Sequence, residues 1–190
     1  MIETPSTGKI ALRGLSNVSL APIIKNTKIS YEVGAPFALP WVVQMSLNQL
    51  IARNTVWADD DVYADMSNYL GSHVTILLAE LDLGLFAKLG MATADEEDES
   101  VYWEPGIAKK EFFLSFACLQ ANNNYRMHRM FAFTVEEIRQ GVLSPIDNSG
   151  NISHYEVVGK LLPRKLDGKA AQIRDGEDLG WLNHNTAVTD

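Results

Sequence analysis

The sequence predicts a mainly β, single-domain protein with one short helix and long appendages. Three observations carry that reading. Several segments alternate apolar and polar residues with period two, a tight-turn sequence joins the two strongest of them, and one stretch switches to helical period. The 190 residues suit one domain at about 150 residues per domain, with length to spare for arms.

Composition bounds the function classes. An apolar fraction of 46% against 21% charged residues is that of a globular protein able to bury a core. The net charge of −8 argues against non-specific adhesion to nucleic acid or anionic membranes, since like charges repel. It is compatible with a surface past which DNA moves without sticking. A lone cysteine, Cys118, excludes an intramolecular disulfide framework and any Cys-rich zinc site, and its apolar surroundings read as a buried, inert thiol. The opening "MIETPSTGKIALRG" has an early acid and no apolar core, so no signal peptide is expected. Between Glu32 and Arg53 lie twenty uncharged residues, the length of a membrane span. Pro36, Pro40, Gln44, Ser46, Asn48 and Gln49 interrupt them, however, and the run alternates from Val43. A half-buried strand in a soluble chain is the reading.

Taken in order, residues 1–27 read as an N-terminal arm, because Gly8, Gly14, Ser16 and Asn17 scatter the apolar positions. "KISYEV" (Lys28 to Val33) is a short strand. Val43, Met45 and Leu47 face one way and Gln44, Ser46 and Asn48 the other. Residues 49–72 form a long loop, a length associated with function or mobility. "HVTILLAE" (His73 to Glu80) alternates again through Val74, Ile76 and Leu78. Asp82 then caps a helix over about 82–89, with Leu85, Phe86 and Leu89 on one face and Gly90 closing it. Five consecutive acids, Asp95, Glu96, Glu97, Asp98 and Glu99, make a solvated loop. "EFFLSFACLQ" (Glu111 to Gln120) and "YRMHRMFAFTV" (Tyr125 to Val135) are joined by "ANNN" into a hairpin. In the second strand Tyr125, Met127, Phe131 and Phe133 share a face and Arg126 and His128 take the other. "HYEVVGKLLPR" (His154 to Arg164) is the last strand, Tyr155, Val157 and Leu161 alternating with Glu156, Val158 and Lys160. Residues 163–190 have too little periodicity to pack alone and read as a C-terminal arm.

Catalytic signals are absent from the sequence pattern. His73, His128, His154 and His184 are too far apart for a helical two-His metal motif, and no phosphate loop, nucleophile elbow or dinucleotide fingerprint occurs. His128 lies between Arg126 and Arg129, which disfavour its protonated form. The stretch "NTVWADDDVYADM" (Asn54 to Met66) has three readings. As a calcium loop it offers Asp59, Asp61 and Asp65 but lacks the central Gly and the closing Glu. As an acid/base pair it would need a desolvated carboxylate, which three neighbours on a loop cannot all be. As an assembly tip it places Trp57, Val62, Tyr63 and Tyr69 against a partner chain, with Asp59, Asp60 and Asp61 as a polar rim. The alternative to a partner is that these aromatics fold back onto their own domain.

The order of elements resembles the major tail protein of long non-contractile-tailed bacteriophages, the siphophage tail-tube subunit. "GLSNVSLAPI" (Gly14 to Ile23), "MSLN" (Met45 to Asn48), "TVWADDDVYADMSNYLGSHVTILLAELDLGLFAKLGM" (Thr55 to Met91) and "FFLSFACLQANNNYRMHRMFAF" (Phe112 to Phe133) carry the resemblance, over most of residues 14–162. Gly84 departs from the proline frequent in the helix's first turn, and the chain from Pro163 onward matches nothing in the family. The resemblance implies a β-sandwich or barrel-like tail-tube domain at 28–162 with one flanking helix, a long stacking loop at 49–72 and extended terminal arms at 1–27 and 163–190. It implies a structural virion protein and no enzyme, assembling as stacked hexameric rings into the hollow tube through which DNA passes. Implied partners are copies of itself, the tape-measure protein, the tail terminator and the distal tail protein. Double-stranded DNA is met only in transit, without specific binding, and neither cofactor, metal nor membrane is involved. The location would be the phage tail, after synthesis in the host bacterial cytoplasm. Trp57, Asp59, Asp60, Asp61, Val62, Tyr63 and Tyr69 become ring-stacking residues, and Asp95 to Glu99 and Glu156 acidic surface or lumen residues. The other readings are the tube protein of a related tailocin or secretion device, and a calcium or metal module at Asp59–Asp65.

Overall fold

The computed structural model describes residues 12–58, 61–95, 97–98, 100–102, 109–143 and 152–182. The first five strands are β1 (Leu12–Asn26), β2 (Tyr31–Val33), β3 (Phe37–Ala38), β4 (Val42–Ala58) and β5 (Asp61–Leu78). Helix α1 (Leu83–Lys88) follows, then β6 (Thr93–Asp95), β7 (Ser100–Tyr102), β8 (Glu111–Gln120), β9 (Tyr125–Leu143), β10 (Ile152–Leu161) and β11 (Ala171–Gly176). A 3-10 turn at Leu179–Leu182 ends the described chain. The fold is mainly β with one short helix, as the alternation predicts. One antiparallel sheet has the order β2-β1-β8-β9-β10-β5-β4, with β3 beside β1 and β11 beside β9; β6 and β7 pair with each other.

The sheet curls around its own apolar face. Leu20 of β1 and Val74, Ile76 and Leu78 of β5 lie near opposite ends of the strand order, yet belong to one buried cluster with Phe112, Leu114, Phe133 and Val157. The segment between β3 and β4 bridges the two ends. Leu39 N–H donates to the Val18 carbonyl and Ala79 N–H to the Trp41 carbonyl, each at 2.9 Å. Helix α1 closes the core with Leu85, Phe86 and Leu89. Its start is fixed as the sequence predicts: Asp82 Oδ1 accepts from Leu85 N–H at 2.6 Å, and Gly90 follows the C-cap at φ +74°. Each fully buried Leu, Ile or Phe here contributes about 1.5–3 kcal/mol of transfer free energy.

Bulges account for most differences from the sequence reading. Residues 12–26, expected to be part of an arm, are strand β1 along β8, with register shifts at Arg13/Leu15 and between Ser16 and Ser19. Gly14 (φ +53°) and Asn17 (φ +51°) sit at these shifts, and each extra residue resets the alternation. On β9, Phe131 packs with Phe113 while Phe133 packs with Phe112 on the other face, so the two do not share a side. A bulge opposite Phe113 is the cause, since one added residue inverts every later position. β9 also continues past the expected end at Val135 to Leu143, paired with β10. At the start of β4 a shift between Val42 and Gln44 turns Val42 to the core and leaves Val43 exposed.

The C-terminal stretch, read as too aperiodic to pack, covers the outer face of β8 and β9. β11 pairs with β9 from Ala171↔Met130 to Gly176↔Tyr125. Leu182 and Trp181 pack on Ala117 and Met127. Arg164, only 4% exposed, lies 4.2 Å from the centre of the Phe131 ring and 5.3 Å from that of Tyr31. It grips Asp167 through Nε and Nη2, both at 2.6 Å. Burying an unpaired guanidinium would cost several kcal/mol; the bidentate carboxylate and two aromatic faces offset that cost. The contact is local in sequence on one side and distant on the other, which is why periodicity does not reveal it.

Two measurements check this packing. A Cβ on Gly159 would lie 2.4 Å from both the Phe133 ring and the Thr134 carbonyl. Gly159→Ala should therefore lower stability by about 3 kcal/mol in urea unfolding, where an unhindered glycine in a strand would gain from the change. The Arg164 guanidinium holds the Asp167 carboxyl well below the usual carboxylate range. A depressed folded-state pKa stabilises the fold above the ordinary Asp value and loses that contribution as pH falls through the folded value. Between about pH 4 and pH 2 the wild type should lose more stability than Asp167→Asn; equal acid slopes would remove the clamp from the account.

Candidate functional site: an unpaired edge and a hairpin arm

The segment expected as a loop at 49–72 is regular hairpin. β4 and β5 pair continuously from Val42↔Leu78 to Ala58↔Asp61, leaving two connecting residues, 59 and 60. Its alternation is obscured by shifts at Leu50/Ile51 and Val56/Trp57. β5 pairs with β10 only from Ser72 to Leu78. From Gly71 outward, each strand of the hairpin is paired with the other and with no further described strand. Gly71 stands at the point of departure with φ +133°, and a Cβ there would come within 2.8 Å of the Leu161 carbonyl. At about 3.3 Å per residue, the arm reaches roughly 30 Å from its base to its tip.

Asp59 and Asp60, named as stacking residues, lie outside the described residues, as do the side chains of Trp57, Asp61, Val62, Tyr63 and Tyr69. Their backbone positions are defined: Trp57 pairs with Val62 and Ala58 with Asp61 in the last two rungs, and Tyr69 pairs with Ile51 nearer the base. The hairpin thus brings Trp57 and Val62 to one rung at the tip and separates them from Tyr69.

β4 is the terminal strand of the sheet and, among the described residues, its outer edge has no strand beside it. Trp41, Val43 and Leu47 on and just before it are 67%, 59% and 42% exposed, and Leu70 of the neighbouring strand is 54% exposed. A long edge with uncovered apolar side chains is a template for pairing with another chain.

The polar face of the same sheet is orderly. Gln44, Leu77, Glu156 and Arg139 are direct neighbours across four strands, and Asn48, His73, Lys160 and Thr134 form another row. Glu156, named as an acidic surface or lumen residue, lies here, with the His154 imidazole 3.7 Å away. Glu137 pairs with Arg139 at 2.7 Å. The face mixes both signs of charge rather than presenting a uniform acidic wall.

The acidic run sits apart, at the turn between β6 and β7. Asp95 Oδ2 accepts from the Tyr102 hydroxyl and Oδ1 from Glu97 N–H at 2.9 Å, the first more than the second holding the Asp95 carboxyl below the usual range. Glu97 and Asp98 are exposed, as a solvated turn requires; Glu96 and Glu99 lie outside the described residues.

Cys118, His128 and Asp175 all lie near Arg126, where β8, β9 and β11 pair. Cys118 faces Arg126 across the strands, and Arg126 binds Asp175 through two hydrogen bonds of 2.9 Å. His128 stacks flat on Phe116 with ring centres 4.5 Å apart. Burial pushes the Cys118 thiol up, away from the reactive thiolate. Burial and then Arg126 push His128 down, outweighing the opposing pull of Asp175. Among the described residues no group of three His, Cys, Asp or Glu side chains is placed to hold a metal. No described helix is long and apolar enough to cross a membrane.

By NMR, His128 should titrate below the ordinary histidine midpoint of about 6.5. Arg126→Gln should move that midpoint upward; an unchanged value would assign the shift to burial alone.

No protein-family model matches the chain, and no curated protein matches it significantly. Among solved structures, a chain of the cryo-EM structure of the anti-feeding prophage (AFP) baseplate, 6-fold symmetrised, is similar at a TM-score of 0.43 and 8% identity, over 94% of this chain and 100% of that one.

Proposed function

We propose that this chain is a structural phage-tail protein whose copies join into hexameric rings, the rings stacking into the hollow tube that conducts DNA into the host. The observation that carries the reading is the 17-residue strand β4, which ends the sheet with an edge that no described strand pairs and continues into an arm paired, among the described strands, only with β5. Alone, the chain gains nothing from such a structure: no described strand pairs either outer edge of the arm, and Trp41, Val43 and Leu47 remain in water. Copies placed edge to edge would cover all of it. The kind of assembly comes from the sequence, where residues 14–162 resemble the siphophage tail-tube subunit in element order. The net charge of −8 suits a conduit that DNA must traverse without adhering.

This reading assigns the protein no catalytic role and no resident cofactor. Its partners are copies of itself, together with the tape-measure, terminator and distal tail proteins at the tube's interior and ends. The tube of a related tailocin or secretion device would use the same edge and arm, and a neighbouring gene for a very long helical tape-measure protein distinguishes the phage. Negative-stain microscopy of the concentrated protein, alone and with those partner proteins, should show rings and stacked tubes. Only compact monomers under all of these conditions would end the proposal.

A further inference from the structure

A cleft of 490 Å³ opens between the end of β1 and the start of β8, lined by Pro22, Ile24, Asn26, Lys109, Lys110 and Lys165 among others. In a chain of net charge −8 this is a local reversal of sign. Among the described residues no ion pair engages Lys109, Lys110 or Lys165. The carboxylate at the cleft, Glu111, is already occupied in accepting from Asn26 Nδ2 at 2.8 Å, and Asn26 Oδ1 accepts from Lys165 N–H at 2.9 Å. Three lysines thus border a concave surface whose lining holds one carboxylate, that of Glu111.

Strand direction places the cleft relative to the arm. β5 is antiparallel to β10, β10 to β9, β9 to β8 and β8 to β1, so β1, β9 and β5 run the same way. The arm's tip stands before the start of β5, at Asp61. The cleft stands at the finish of β1, at Asn26. Pro22 of the cleft shares a rung with Ser72 through Phe112, Phe133 and Leu161, so the cleft stands level with the arm's base. The tip lies roughly 30 Å from it along the strand direction, an offset that suits a head-to-tail contact repeated along a stack and not a reciprocal exchange within a two-fold dimer. The chemistry is complementary as well. The tip carries three adjacent carboxylates, Asp59, Asp60 and Asp61, which repel one another until cations cover them.

We infer that in the stacked assembly the Asp59–Asp61 tip of one copy seats in the Lys109–Lys110–Lys165 cleft of a copy in the adjoining ring. The inference rests on the stacking reading above and names its receptor. It makes stacking an electrostatic contact between exposed groups, weakened by salt, while ring closure through the β4 edge depends on backbone pairing and apolar cover and is less sensitive to salt.

The test is a charge swap read by sedimentation and negative-stain microscopy, with thermal melts showing that each variant is folded. Lys109→Glu/Lys110→Glu should leave rings intact and raise the protein concentration needed for tubes by about tenfold or more, as like charges meet at the contact. Adding Asp60→Lys/Asp61→Lys to the same chain should bring that concentration back to near the wild-type value. Tubes forming from Lys109→Glu/Lys110→Glu at the wild-type concentration would overturn the cleft assignment while leaving the tube reading intact. Rescue by Glu97→Lys/Asp98→Lys instead would seat the β6–β7 turn in the cleft and equally overturn it. A wild type that never stacks, alone or with its partner tail proteins, would remove both readings together.

Discussion

Every backbone N–H and C=O in a sheet needs a partner, and a curled sheet that does not close has ends where partners run out. In this chain the β1 end is covered by β2, β3 and the bridging segment at Leu39, while among the described residues no strand covers the β4 end. The rest of the architecture follows from that asymmetry. The core can be complete because its apolar face is turned inward and closed by α1. The edge stays uncovered because the strand that would cover it is, on our reading, supplied by another copy. Four exposed apolar residues, Trp41, Val43, Leu47 and Leu70, lie on that strand, just before it or on its neighbour.

A sheet with one satisfied face and one open end still has to be kept stiff. Stiffness comes from the outer layer at β8 and β9. Phe113 and Phe131 are buried there under Tyr31, Leu166 and the Arg164 guanidinium, and Ala117 and Met127 under Leu182 and Trp181. The Tyr31 hydroxyl donates to the Phe131 carbonyl at the bulge, giving that irregular carbonyl a partner. Arg129 stacks on Trp181 at 4.2 Å and donates to its carbonyl, tying the end of the described chain to β9. β8 is thus buried on both faces, a rigid centre from which the free edge and the arm extend.

The charged groups divide by the same logic. In the outer layer Arg164 is paired with Asp167, and Arg126 is paired with Asp175 between β9 and β11. Those on the polar face alternate in sign and are partly paired, as Glu137 with Arg139. The three lysines at the cleft share one described carboxylate, Glu111, and the aspartates at the arm's tip are the densest run of acids besides the β6–β7 turn. Surplus charge of each sign, offset along the strand direction, is a natural arrangement for units that stack in one direction.

Sequence alone determined the class and several elements, because their signals are local. Asp82, Leu85, Phe86, Leu89 and Gly90 specify α1 within three turns' worth of chain, and "ANNN", with Asn123 at φ +65°, specifies the β8–β9 hairpin. Alternation likewise located β8 and β10, and five adjacent acids marked a solvated turn. Tertiary structure decided what depends on a partner strand. Whether Gly14 and Asn17 break a strand or merely bulge it is settled by β8, and whether Phe131 joins Phe133 is settled by the extra residue opposite Phe113. The outer part of the hairpin at 42–78 hid for a related reason: shifts at Leu50/Ile51 and Val56/Trp57 break its alternation, and only the pairing of β4 with β5 restores the register. Arg164 and the lysine cleft join residues more than a hundred positions apart, and no pattern read along one segment can bring them together.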